Sequence, residues 1–348
     1  MDVVNTMMEH GPAPSSPLQP PPFHTFKPQP QATTGNVGIL KSTILPSFRL
    51  YSGLSLAAFV AAKVTDRVEV KDWLWPSSQV LNVWWSAVGR QMYEKGIPLS
   101  TAWGKLSWTE KLLLGSVTLW GVRLFTHIAC RSLARGKDDP RYEACKTESG
   151  FWTTALFKIF LPEAFFLSII SLPFTLPFHS SGSAISPSVN CLNMTRAFGA
   201  GLFSAGFALE VMSDTQLELH RQERTDLCQD GVRSLVRHPN YLGDTLVHLS
   251  FAVLNLANSS NPLFFVGPLT NYIFLRFVGG DKQTEASQEE RYQATDTQKL
   301  TQFRDWQREK NSLWPSLGDL ISPWALAVYS CGLMGAFAEE IVRTSYNA

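Results

Sequence analysis

The residues of this chain best suited to chemistry crowd into one string, Arg237-His238-Pro239-Asn240-Tyr241-Leu242-Gly243-Asp244. Proline fits the first turn of a helix, where its missing N–H costs no bond, so the string opens a helix at Pro239. Asn240, Asp244 and His248 then recur every four residues and draw one polar stripe along an otherwise apolar helix. Gly243, on the adjoining face, allows a backbone or a flat ligand to approach closely. Arg237 and the helix N-terminus together suit a phosphate.

Other ionisable groups sit where they are costly. Arg123 and His127 are four residues apart and align with Arg131 on one helical face. Glu210 and Asp214 repeat that spacing, with Arg221 two turns on. Glu163 follows Pro162 inside an apolar run, where a satisfied structural carboxyl and a substrate contact fit equally well. Ionisable residues within a bilayer span are by default functional, which makes His127, Glu210, Glu163 and His248 the available proton donors. We take Arg123, His127 and Glu210 as the catalytic set, with Arg123 and His127 polarising the substrate, and Glu163 and His248 as substrate contacts. The five cysteines form no CxxC pair and no Cys/His cluster, so neither a disulfide framework nor a metal site is expected.

These groups must be held by membrane helices. The 348 residues include 30 Lys+Arg and 29 Asp+Glu, and the charges are bunched. Residues 131–148, 214–237 and 279–310 hold more than half of them, whereas 151–209 holds only Lys158, Glu163 and Arg196, and 238–275 only Asp244. That distribution excludes an evenly solvated surface and a nucleic-acid protein built on basic excess. Apolar runs long enough to cross a bilayer fall at 47–63, 73–90, 108–130, 151–178, 196–214, 241–258 and 261–278. The second is weakened by Pro76, Ser77, Ser78, Gln79 and Asn82, and the fourth is interrupted by Pro162, Pro173 and Pro177. A further apolar stretch, 320–338, reads as an eighth span or an interfacial hairpin broken at Pro323. The expected fold is all-α, a polytopic transmembrane bundle of about seven spans with a cytoplasmic cap. Its divisions are a disordered Pro-rich tail (1–46), variable amino-terminal spans (47–107), the main membrane domain (108–315) and an apolar C-terminal segment (316–348).

Basic loops 131–150 and 215–240 belong on the cytoplasmic side by the positive-inside bias. The uncharged loop 179–195, with the sequon Asn193-Met194-Thr195, belongs opposite, as does the sequon Asn258-Ser259-Ser260. Residues 279–315, with alternating signs and Trp306 and Trp314, read either as a solvated loop and helix or as an amphipathic element covering the site.

RHPNYLGD, at 237–244, resembles the signature of membrane-embedded NADPH-dependent reductases, the steroid 5-alpha-reductase superfamily together with the sterol C14 and related reductases. LWGVRLFTHIACRSLARGKDDPRY (119–142), GFALEVMSDTQLELHR (206–221) and NYIFLRFVGGDKQTEASQEERY (271–292) are similar to stretches of its uncharacterised, fungal-type branch, so that the likeness covers about 108–315. The resemblance implies an endoplasmic-reticulum bundle closing around NADPH from the cytoplasmic side, with an apolar substrate arriving from lipid. It assigns Asn240, Tyr241 and Asp244 to the nicotinamide half, and Asp214, Arg221, Arg237, His238, Arg276 and Glu285 to ribose and phosphates. The steroid 5-alpha-reductases proper grip a ketone with a Tyr on the third span, whereas this chain reads Trp120, Arg123, His127 there. The expected reaction is therefore reduction of a C=C bond in a sterol, steroid, enoyl lipid or related enone. Two alternatives remain: a membrane methyltransferase of the isoprenylcysteine and phospholipid type, which shares an Arg-His-Pro-x-Tyr-x-Gly string and uses S-adenosylmethionine, and a non-catalytic sterol-binding scaffold.

Overall fold

Prolines placed inside apolar runs decide where the helices of this protein begin, bend and end. A computed structural model describes residues 36–179, 189–257, 259 and 261–347, which form helices and no strand. The helices are α1 (36–65), α2 (70–95), α3 (Trp108–Arg135), α4 (Pro140–Lys146), α5 (Phe151–Ile170), α6 (Val189–Glu223), α7 (Pro239–Leu256), α8 (262–278), α9 (Asp281–Thr295), α10 (Thr297–Glu309) and α11 (Pro323–Asn347). In α1 and α5 a π-turn, Leu40–Ile44 or Leu156–Phe160, comes just before Pro46 or Pro162. The wider turn accommodates the missing N–H and the ring, so neither helix breaks. After α5 the chain does break, at Ser171, into the short turns Leu172–Thr175 and Leu176–Phe178. Pro323 starts α11 instead of interrupting it, so that of the two readings of this stretch the structure has one continuous helix and not a hairpin.

Among the described residues, five helices are long and apolar enough to cross a membrane: Leu40–Thr65, Trp108–Arg135, Phe151–Ile170, Pro262–Thr295 and Pro323–Tyr346. Two expected boundaries move. The first helix already includes Asn36, the first described residue and part of the segment read as a disordered tail, and Ile39 packs there with Leu172 and Phe264. The sequon at Asn193 lies on α6 instead of in a loop, with the Thr195 hydroxyl donating to the Cys191 carbonyl at 2.8 Å. Of the other sequon, Asn258 and Ser260 lie outside the described residues.

Polar residues that weakened the run 73–90 turn inward on α2. Asn82 Nδ2 donates to Ser47 Oγ and Tyr51 OH, both at 3.0 Å, tying α2 to α1. At the centre α6 and α7 cross with their backbones in contact. A Cβ added to Gly206 would lie 2.7 Å from the Gly243 carbonyl oxygen, and one on Gly243 would lie 2.6 Å from that of Gly206. Gly243 thus admits a backbone, one of the two occupants its position allowed.

At one end of the bundle the three charged segments converge. The Asp138 carboxylate accepts from Val68 N (2.9 Å) and Glu69 N (3.0 Å), which welds the α3–α4 loop to the α1–α2 turn. Tyr292 of α9 and Leu300, Phe303 and Trp306 of α10 close a small core with Leu227. Lys299 Nζ donates to the Thr225 carbonyl at 2.6 Å.

Candidate functional site

The convergence encloses a cavity of about 780 Å³ with walls from α2, α3, α4, α6, α7 and α9. Its inner end is built by the α6–α7 crossing. Close approach at Gly206 and Gly243 brings Glu210 beside the first turns of α7: a Cβ on Gly243 would lie 2.8 Å from Glu210 N. Glu210 is 2% exposed. Its Oε1 accepts from Arg123 Nη1 at 2.9 Å, and its Oε2 is buried without a hydrogen bond. Asp244 Oδ2 accepts from Asn271 Nδ2 at 3.2 Å, while Oδ1 has no hydrogen-bond partner. His248 Nδ1 is 3.3 Å from Oδ1 but makes its hydrogen bond to the Asp244 carbonyl oxygen at 3.0 Å. Asn240 Oδ1, one turn earlier, is also buried and unpartnered. Unpartnered acceptors at three neighbouring cavity-lining residues leave room for donors from a ligand or from water.

Towards the charged end the sign reverses. Arg131, Arg221 and Arg291 line the cavity, and among the described residues no carboxylate lies within ion-pair distance of their guanidinium groups; that of Arg291 lies over the Tyr292 ring, 5.3 Å from its centroid. Arg233 gives Nη1 to the Arg237 carbonyl at 3.1 Å and leaves its buried Nε unbonded. Burial and the neighbouring Arg131 guanidinium, with Arg291 adding to it, hold Arg221 below the ordinary arginine range against the opposing pull of Glu218. The opposite wall is neutralised internally. Lys71 Nζ is 2.8 Å from Glu163 Oε2, and Asp72 takes Arg141 Nη2 at 2.6 Å and the Tyr142 hydroxyl at 2.8 Å.

Of the residues singled out from sequence, His127, Glu163, Glu210, Asp214, Arg221, His238, Asn240, Tyr241 and Asp244 line the cavity. Asp214 bonds Arg123 Nη2 at 2.8 Å and lies 3.6 Å from His127 Nε2. The Tyr241 hydroxyl is 3.1 Å from Thr284 Oγ1. Five expected residues do not line it. Arg237 is a clamp: Nε and Nη2 hold Glu285 at 2.8 and 3.1 Å, and Nη1 binds the carbonyls of Gln307 and Lys310. Glu285 is spent on Arg237, His238 Nε2 (2.8 Å) and Gln307 Nε2 (3.0 Å), so neither residue of the pair is free for a phosphate or ribose. Arg276 pairs with Asp281 at 2.7 Å. His248 is fully buried between Asp244 and Gln79, edge-on to Trp120, and cannot touch a substrate in the cavity. Arg123 stands behind Glu210 and Asp214. Burial pushes the His238 imidazole below the usual histidine range, the Glu285 hydrogen bond opposing it.

Sequence reasoning did not assign Lys71, Asp72, Arg131, Arg141, Tyr142, Arg233 or Arg291. Arg131 shares the helical stripe of Arg123 and His127, and Arg141 and Tyr142 close the quoted 119–142 string, so a signal existed for these three. Lys71 and Asp72 gave none, since Asp72 meets Arg141 across 69 residues of sequence.

No curated protein and no solved structure matches the chain. One family model does, over residues 58–309, from α1 to the end of α10, and takes in every candidate site residue. The cavity and all of its walls are therefore those of the family described as protein of unknown function (DUF1295), and the chain belongs to it.

Proposed function

We propose that this protein is a membrane-embedded, NADPH-dependent reductase of a C=C bond in an apolar enone, related to the steroid 5-alpha-reductase and sterol reductase superfamily. The observation that carries the reading is the polarity of one cavity: arginines without carboxylates at one end, unpartnered buried acceptors at the other. Diphosphate and 2′-phosphate groups fit the first, through charge-assisted hydrogen bonds from Arg131, Arg221 and Arg291. A carboxamide N–H₂ fits the second, against Asn240 Oδ1 and Asp244 Oδ1. A nicotinamide cofactor, when bound, supplies the hydride.

The chain's own part is to orient, exclude water and hold a proton. His127 and Glu210 line the same wall, Glu210 with a free Oε2, and are the groups from which a proton reaches the second carbon. Arg123 bridges the two carboxylates of α6 from behind the cavity wall and so holds Glu210 and Asp214 in place. In this reading eight helices span (α1, α2, α3, α5, α6, α7, α8 and α11). The cofactor end faces the cytoplasm, α9 and α10 are its cap, and the membrane is that of the endoplasmic reticulum. The cationic end favours this cofactor over S-adenosylmethionine, whose sulfonium carries positive charge and which has no phosphate.

Titration of the purified protein with NADPH, and separately with S-adenosylmethionine, tests the proposal. NADPH binds, and Asn240→Ala or Asp244→Ala abolishes it. Unchanged NADPH affinity in both variants, or binding of S-adenosylmethionine alone, refutes the assignment. Oxidation of bound NADPH across a panel of enones distinguishes an enzyme from a non-catalytic scaffold.

A further inference from the structure

A second concavity lies on the outer face of the bundle, between α2, the short turn Leu99–Gly104 and α3. It is an open groove of about 480 Å³ walled by Trp84, Trp103, Gly115, Leu119 and Val122, among others. Leu119 and Val122 are each 54% exposed on a helix apolar enough to cross a membrane, so the groove opens to lipid. The Trp84 and Trp103 rings are stacked, 17° apart in plane with centroids 6.2 Å apart, and offer flat apolar surface. Gly115 widens it: a Cβ there would meet nothing within 4 Å.

One charged group, Arg123, closes the groove. Its Nη1 and Nη2 each bind one carboxylate, Glu210 and Asp214, while Nε makes no hydrogen bond within the protein and is not buried. A guanidinium has five N–H donors, so Arg123 retains some for a ligand. Glu210 and Asp214, in turn, line the cavity on the other side. Arg123 is thus the partition between a lipid-facing apolar groove and the polar cavity, with a hand in each.

We propose that the groove is the lateral docking site of the apolar substrate, a carbonyl compound drawn from the bilayer with its body on Trp84, Leu119 and Val122 and its carbonyl oxygen on Arg123. The occupant follows from complementarity. An alkyl or ring body matches the walls, and one acceptor matches the unspent donors at the end. A pure hydrocarbon would leave those donors unmet. This rests on the reductase reading for the identity of the carbonyl compound as substrate, and its test is separable from NADPH binding.

The probe is a long-chain 2-alkenone carrying a diazirine on its chain, photolysed with the full-length protein in lipid nanodiscs and mapped by peptide mass spectrometry. Label is expected on α3 between Gly115 and Val122 and on Trp84 or Trp103, competed by unlabelled alkenone and not by the alkane of equal length. Gly115→Phe fills the groove at a position with open space and is expected to cut labelling at least about tenfold with NADPH affinity unchanged, corresponding to about 1.4 kcal/mol or more. Arg123→Gln reduces competition by the ketone relative to the alkane, whereas Arg123→Lys keeps part of it. Labelling elsewhere, equal competition by alkane and ketone, or full labelling in Gly115→Phe overturns the docking site. Loss of NADPH binding with groove labelling intact overturns the reductase reading and leaves the groove.

Discussion

Two sets of arginines stand at the same end of this bundle and are treated in opposite ways. Arg237 and Arg276 each have a carboxylate, Glu285 and Asp281, within 3 Å. Arg131, Arg221 and Arg291 have none, and push on one another. The paired set ties α7 and α8 to α9 and α10, and Arg237 spends its guanidinium on that tie. The unpaired set, with Arg131 half-buried and Arg221 and Arg291 exposed, gathers like charge at the wall of the cavity. An anionic ligand, as proposed above, would meet that charge there. Residue type and neighbourhood in the sequence did not separate the two sets; the presence or absence of a nearby carboxylate did.

Breaking the clamp has the largest expected effect. Glu285→Ala leaves Arg237 and His238 without their carboxylate and is expected to destabilise the protein by about 3–5 kcal/mol. Thermal unfolding in nanodiscs measures it. A melting temperature within experimental error of the wild type would mean that the clamp is not structural.

Arg221→Ala should do the reverse. Its stability is expected to hold or rise slightly, because a repulsion is relieved, while NADPH affinity falls by about tenfold or more. Arg131→Ala and Arg291→Ala follow in the same direction, and any of them that weakens NADPH and NADH alike identifies a diphosphate contact, whereas one that weakens NADPH and spares NADH identifies a contact to the 2′-phosphate. Lost stability with unchanged affinity would put Arg221 in the structural set.

Salt gives a smaller separation. Raising ionic strength from about 0.05 to 0.5 M should weaken NADPH binding several-fold while leaving the melting temperature nearly constant, since a buried clamp is screened far less than an open cationic wall.

The smallest effect concerns pH. His238 has a folded pKa below its unfolded value of about 6.5. The unfolded chain therefore binds the proton first, and stability is lost as pH falls from about 6.5 through the folded pKa. His238→Gln should flatten the acid side of the stability profile relative to wild type. An unaltered profile would show that the imidazole does not titrate against the clamp.

Much of this was legible beforehand because it depends on neighbours along the chain. Bunched charges and apolar runs announced membrane helices, and spacings of four placed Asn240 and Asp244, or Glu210 and Asp214, on single helical faces, where they line one cavity. A helical face is a property of local periodicity. Two readings needed partners from afar. Arg237 looked like a phosphate ligand and His248 like a substrate contact, because nothing adjacent in sequence announces Glu285, 48 residues on, or Gln79, 169 residues back. What the sequence by itself determined, then, was which faces are polar and which segments seek lipid. Which polar groups satisfy each other, and which are left facing a cavity, was decided only when the Gly206–Gly243 crossing and the α9–α10 hairpin brought distant charges within hydrogen-bond reach, because electrostatic pairing depends on distance in space and not on position in the chain.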